Sequence, residues 1–226
     1  MIATSNLLFN NIQTVEVYEM LVLNEQDQQN LLDMKEVIEE VGHALQAFSE
    51  GKTETPLRYV LPFNKENRYL VMPALSDELN IVGIKTVTFA PNNPKLDKKT
   101  ITGSVLLSDY DTGETLAVLD GSYLTKIRTG AISGVATKYL AREDAKTLCV
   151  IGAGDQAEGL IAAILAVRDI EMLHISSRTR TKAEKLAEFV KQTYHVSTKV
   201  FDEADQAMEN ADIVATATNS NKPVYS

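Results

Sequence analysis

The residues of this chain that could do chemistry fall into two groups, one built on glycine and one on charge. The first is Gly152-Ala153-Gly154-Asp155-Gln156-Ala157. It follows an apolar run and opens a helix-like stretch, so it fits the pattern G-x-G-x-x-G/A at a strand-to-helix turn, with Ala in the third slot. Each position has a physical reason. Gly152 permits the tight turn, and Gly154 lets the backbone approach a pyrophosphate. Ala157 keeps helix and strand close, and the helix N-terminus offers free N–H donors and positive potential. The implied ligand is a dinucleotide; a plain turn with no ligand is the competing reading. Asp155 lies close to the expected phosphates and either caps the helix or faces solvent.

A dinucleotide makes its second contact at the end of the next strand. An acid there binds the ribose of NAD, whereas Arg accommodates the extra phosphate of NADP. The strand ends Ser176-Ser177-Arg178-Thr179-Arg180, with Lys182 following and no acid among them. Glu171 lies at the far end of the strand. Hydroxyls beside guanidinium groups suit a phosphate, so NADP(H) is favoured over NAD(H). Against this stands a solvated helix start at Arg178 and Arg180.

The charged group begins with Lys85. Over residues 80–90, alternation puts Ile81, Gly83, Lys85, Val87 and Phe89 on one face. A lysine on an apolar face needs a partner, either an anionic ligand or a carboxylate elsewhere, unless it reaches solvent from an edge strand. Arg58, in the apolar run 57–61, is unremarkable alone. Arg128 precedes Gly130 and Gly134 in a helix running from Ser122. Each glycine costs about 1 kcal/mol in a helix interior. Two of them four apart mark a close approach, by another helix, the domain joint or a cofactor. His43, His174 and His195 are scattered, so no metal cluster is expected, and His174 reads as structural.

The elements that must position these residues change character along the chain. Leu21-Val-Leu23 is a short strand. Asn24 caps a helix ending near Leu32, and Asp33 caps a second with the apolar face Met34, Val37, Ile38, Val41, Leu45 and Phe48, stopping at Gly51. Residues 57–61 and 69–72 are short strands bounded by Pro56, Pro62 and Pro73. Strands 80–90, 104–108 and 115–119 follow, the last two flanking a hairpin-like turn at 109–114. A helix fills 120–141. From residue 145, strands 147–152, 172–177, 197–200 and 212–218 alternate with helices 156–168, 181–194 and 203–209, which implies a parallel sheet. The fold class is α/β. Residues 141–146 form the joint between the two parts of the chain.

Bulk properties narrow the functions. The net charge of −9 argues against a nucleic-acid role. The single cysteine, Cys149, sits in an apolar run, which excludes a disulfide framework and fits a reducing compartment. No apolar run approaches the roughly 20 residues that span a bilayer, and the first residues lack the features of a signal peptide. The expected location is cytoplasmic.

Together these segments resemble the ornithine cyclodeaminase/mu-crystallin family. The matching residues are Pro56-Leu-Arg58, Met72-Pro-Ala74, Gly83-Ile-Lys85, the 109–114 turn, Leu124-Thr-Lys-Ile-Arg-Thr-Gly-Ala131, Ser133, Ala136-Thr-Lys-Tyr-Leu-Ala-Arg142, Val150-Ile-Gly-Ala-Gly154 with Gln156-Ala157, and Ala211-Asp-Ile-Val-Ala-Thr-Ala-Thr218 with Ser220. The resemblance implies a homodimer acting on small amino or imino acids, with an N-terminal α+β substrate-binding and dimerisation domain at 20–141 and an incomplete Rossmann-type NAD(P)-binding domain at 142–226. It also implies that Arg58, Lys85 and Arg128 hold the substrate carboxylate; a cation-rich pocket lowers a lysine pKa, so Lys85 is also the candidate catalytic residue, keeping the imine protonated. Thr129 lies near the cofactor, and Thr216, Ala217 and Thr218 line the nicotinamide. The preferred activity is an NAD(P)H-dependent reductase of a cyclic imino acid, such as Δ1-pyrroline-2-carboxylate to L-proline. The alternatives are an ornithine cyclodeaminase using NAD as an internal redox relay, and an inactive truncated fragment. The family typically carries Ala at the position of Gly130, which reads as a small change. The sequence stops before the catalytic Asp of the cyclodeaminases, the later Rossmann strands and the C-terminal helix, so weak stability is expected. Residues 1–19, ahead of Met20, read as an extension or a misassigned start.

Overall fold

The computed structural model describes residues 20–225, so the reading of residues 1–19 lies outside the described residues. The chain opens with β1 (Leu21–Leu23), α1 (Glu25–Leu31) and α2 (Met34–Ser49). Both helices start on the expected caps. Asn24 and Asp27 form a reciprocal capping box, and the Asp33 carboxylate accepts from the N–H groups of Lys35 and Glu36. The apolar face foreseen for α2 is used only in part. Ile38 is buried, but Leu45 and Phe48 are exposed, because the neighbouring helices cover only its first half.

Five strands follow: β2 (Tyr59–Phe63), β3 (Asn67–Ser76), β4 (Ile81–Phe89), β5 (Ile101–Asp109) and β6 (Thr115–Asp120). They form a sheet in the order β1-β6-β5-β4-β3-β2. Only the β1–β6 pairing is parallel. Two proline boundaries are corrected. Pro62 and Pro73 lie inside β2 and β3, and Arg58 lies just before β2 rather than within it. The Leu75 N–H donates to Glu54 O, on the side away from β4. N–H groups two residues apart point the same way, so the N–H that Pro73 lacks would face the β2 side. There the β2–β3 ladder ends at the pair Tyr59–Val71, which leaves Arg58 outside it.

Helix α3 (Gly121–Leu140) is the strut of the molecule. The Asp120 carboxylate caps it through Ser122 N–H at 2.9 Å and Tyr123 N–H at 2.8 Å. A Cβ added at Gly121 would stand 2.7 Å from Gly103 C in β5, and one at Gly134 would stand 2.7 Å from Ile38 Cδ1 in α2.

The second sheet comprises β7 (Thr147–Ile151), β8 (Met172–Ser176), β9 (Ser197–Phe201) and β10 (Ile213–Thr216), in the order β10-β7-β8-β9 and wholly parallel. Helices α4 (Asp155–Val167), α5 (Arg180–Tyr194) and α6 (Ala204–Met208) connect them, as a Rossmann half requires. Leu148, Val150, Ile161, Ile164, Leu173, Ile175 and Val190 form its main core. Cys149 is buried beside Ile151 and Ala207, and burial pushes its thiol up to about 11. His174 Nδ1 lies 2.8 Å from Ala207 O and its ring packs on Phe201, the structural role expected.

The glycine pair in α3 now has its explanation. A Cβ at Gly130 would fall 2.1 Å from Gly159 O, and one at Gly159 would fall 2.5 Å from Lys126 O. The approaching body is α4. The Gly130 departure is therefore not a small one in this chain, because a methyl there would overlap main chain. At the other end of the same pair of helices, the Arg168 guanidinium donates to the carbonyls of Thr137, Lys138, Ala141 and Arg142. Asp212 holds the connector by accepting from Lys146 N–H and Thr147 N–H and pairing with Arg142.

Candidate active site

The glycine turn sits where the ends of β7, β8 and β10 converge. Gly152 has φ +106°, and a Cβ there would lie 2.4 Å from Ala217 O, so the position demands glycine twice over. Gly152 N–H donates to Ser176 O at 2.7 Å, and Ala217 N–H donates to Ile151 O at 2.8 Å. These bonds stitch the three strand ends around the turn.

Gly154 is the N-cap of α4 and supplies no side-chain cap; a Cβ there would meet nothing within 4 Å. Ala153 packs on the core, and Ala157 is fully buried. Asp155 is exposed in the first helical turn and does not cap it. Gln156 Oε1 is buried and has no hydrogen-bond partner among the described residues. An open helix terminus with uncapped N–H donors fits a dinucleotide diphosphate; the orphaned Gln156 acceptor needs a donor, which the diphosphate itself does not carry.

Beyond β8, Ser177 Oγ accepts from Thr179 N–H at 3.5 Å, a long bond. The two arginines foreseen here part ways. Arg180 is bound by Glu184 at 2.9 Å and Asp202 at 2.5 Å. Arg178 makes only a 3.4 Å bond to the neutral Asn219 amide, in the loop that follows Thr216, Ala217 and Thr218. Of the two, Arg178 is the guanidinium left for an anion.

The cations lie on the first sheet and on α3. Lys85 in β4 stands opposite Met72 in β3 and Val105 in β5. It is half-buried, and burial first, then the Arg128 guanidinium, push its ammonium down to about 8. Loss of solvation also lowers Arg128. Among the described residues no carboxylate pairs with Lys85, Arg128 or Arg58. Arg58 is exposed and lies one residue beyond the last β2–β3 pair, Tyr59–Val71. Thr129 is half-buried between Arg128 and the Gly130 crossing.

Sequence reasoning missed one pair at this crossing. Lys126 Nζ lies 3.0 Å from Glu158 Oε2, joining α3 to α4 beside the two glycines. The partners are 32 residues apart on different helices, so no spacing rule links them. Two surface concavities, one at the end of α4 near Tyr194 and one between α2 and α3, contain none of the site residues.

A sheet order of the dinucleotide-binding type, joined through one helix to a sheet bearing unpaired cations, defines the class. The sequence model of the ornithine cyclodeaminase/mu-crystallin family matches residues 18–226, and the chain belongs to that family. It is 50% identical over 208 residues to a Delta(1)-pyrroline-2-carboxylate reductase of Bacillus cereus, the match covering 92% of this chain and 64% of that protein. Its fold matches a Thermococcus litoralis Delta(1)-pyrroline-2-carboxylate reductase in complex with NADH and L-proline. That match has a TM-score of 0.85 and 38% identity, covering 91% of this chain and 64% of the other. An archaeal alanine dehydrogenase dimer with bound NAD matches with a TM-score of 0.83 and 32% identity, over 91% and 62% of the two chains. The chain thus spans slightly less than two thirds of the length of these relatives.

Proposed function

We propose that this chain is an NAD(P)H-dependent reductase of a small cyclic imino acid, such as Δ1-pyrroline-2-carboxylate, which it converts to L-proline. The observation that carries the proposal is the cation pair Lys85 and Arg128, close enough to repel each other and paired with no carboxylate among the described residues. Two cations that repel each other, with no acid between them, are balanced by a substrate carboxylate. Arg128 offers the planar fork that matches it, and Arg58 extends the row. Fixing the carboxylate orients the ring toward the glycine turn, and such positioning supplies much of a rate enhancement. Lys85 has a second use. Its ammonium, readily deprotonated at about 8, can hold a proton beside the imine nitrogen and so make the C=N carbon electrophilic.

The bound nicotinamide cofactor supplies the hydride. Gly152, Ala153, Gly154, Gln156 and Ala157 would hold its diphosphate. Ser177, Arg178 and Thr179 would hold its adenosine end, and Thr129, Thr216, Ala217 and Thr218 would flank the nicotinamide. The free Arg178 and the lack of an acid at the end of β8 support NADP(H), although the relatives above carry NADH and NAD. We also propose a substrate-binding domain at 20–141, a cofactor-binding domain at 142–226, a homodimer and a cytoplasmic location. Among the described residues no helix is long and apolar enough to cross a membrane.

The test is cofactor absorbance on adding the cyclic imine, run beside an ornithine assay with catalytic NAD. Oxidation of NADPH by the imine is expected. Ornithine-dependent proline formation without imine reduction would overturn the proposal.

A further inference from the structure

Gly83 has no cause within the fold. Elsewhere in this sheet and its helix, as at Gly103 and Gly121, the main chain stands where a Cβ would go. Gly83 has no positive φ, and the nearest atom to its Cβ position is Leu107 Cδ2, at an ordinary 3.5 Å. Glycine inside a strand weakens it and often marks a site where a ligand or another backbone comes close.

Its place suggests what comes close. Gly83 and Lys85 are two residues apart in β4 and share a face. Ala74 stands directly opposite Gly83, and Met72 directly opposite Lys85. Farther along the same rows Val105 and Ala117 are buried, but Ala74 is exposed. Over β3 and β4 the face is covered less completely, with Met72, Gly83 and Lys85 half-buried. There it presents a step with two small residues at its foot and the unpaired Lys85 at its head. Residues two apart in a strand are about 6.5–7 Å apart, which is the length of a small ring with its carboxylate.

We infer that Gly83 and Ala74 form the floor on which the substrate's ring carbons rest, and that Gly83 sets the ring size accepted. The inference rests on the reading of Lys85 and Arg128 as the carboxylate site. A methyl on Gly83 would rise into the space that a larger ring needs, while a smaller ring would still clear it.

The test is calorimetric titration of the full chain, with oxidised cofactor present. The ligands are L-proline and its six-membered homologue, piperidine-2-carboxylate, each with wild type, Gly83→Ala and, from the facing strand, Ala74→Val. Gly83→Ala should melt no lower than wild type, since it replaces a glycine in a strand. Both variants should weaken the six-membered acid at least about tenfold more than L-proline. Equal weakening of the two acids, or no change in either, overturns the floor assignment while leaving the carboxylate site standing. Failure of wild type to bind either acid overturns the carboxylate site itself, and the floor with it.

Discussion

A single ammonium group links the fold to pH. Lys85 is held at about 8 against an ordinary value of 10.5, chiefly by burial and then by Arg128. Below about pH 8 it is protonated in folded and unfolded chains alike, and the folded state carries the full cost of its buried charge. Between about pH 8 and 10.5 the folded state has already released the proton, so that cost fades and stability rises with pH. A bound carboxylate acts in the opposite sense, raising the Lys85 pKa. L-Proline binding at pH 8.5 should therefore take up protons, and binding at pH 6.5 should not. Titrations in buffers of different ionisation heat measure this, and identical enthalpies at pH 8.5 would contradict it. At the other end of the site, Arg178→Ala should weaken NADPH by roughly tenfold or more and leave NADH nearly unchanged. Parallel fluorescence titrations decide between that and an equal loss. Lys85 was legible because period two exposes a charge on an apolar face. The difference between Arg178 and Arg180 was only half legible. Glu184 lies one helical turn from Arg180, but Asp202 is 22 residues away and reaches it only through the fold.

Elements were easier to read than their contacts. Strand–helix alternation placed every element of the parallel sheet, and local caps at Asn24 and Asp33 placed two helix starts. Gly130 and Gly134 announced a close approach but could not name the approaching body, because α4 and α2 are remote in sequence. Pro73 misled for a different reason. A proline normally ends a strand, and here its missing N–H faces the side where the neighbouring ladder stops. The crossing yields a sharp prediction. Gly130→Ala puts a methyl 2.1 Å from Gly159 O, so α3 and α4 must part. Overpacking of this kind costs about 1–3 kcal/mol. Thermal melts should show the loss, and an unchanged melting temperature would show that the crossing is looser than its geometry.

At the scale of the molecule, one edge of the first sheet is strongly apolar and uncovered by the other described residues. Leu57, Tyr59, Val60, Leu61 and Phe63 are all exposed, and β2 is the terminal strand. Bare apolar edges pair or aggregate. Sedimentation should give a dimer, and Leu61→Asp should shift it toward monomer while the far-ultraviolet circular dichroism stays the same. A dimer that Leu61→Asp leaves intact would place the contact elsewhere. The joint between the two sheets has a different character. Where α3 meets α4, glycine meets glycine and main chain touches main chain. Such a contact has no rotamers to exchange. The gap between the cations and the glycine turn is therefore gauged by a ruler of peptide units, which thermal side-chain motion cannot lengthen. Substrate and cofactor preferences can drift at the two ends, at residues such as Gly83 and Arg178, while the ruler between them keeps its length.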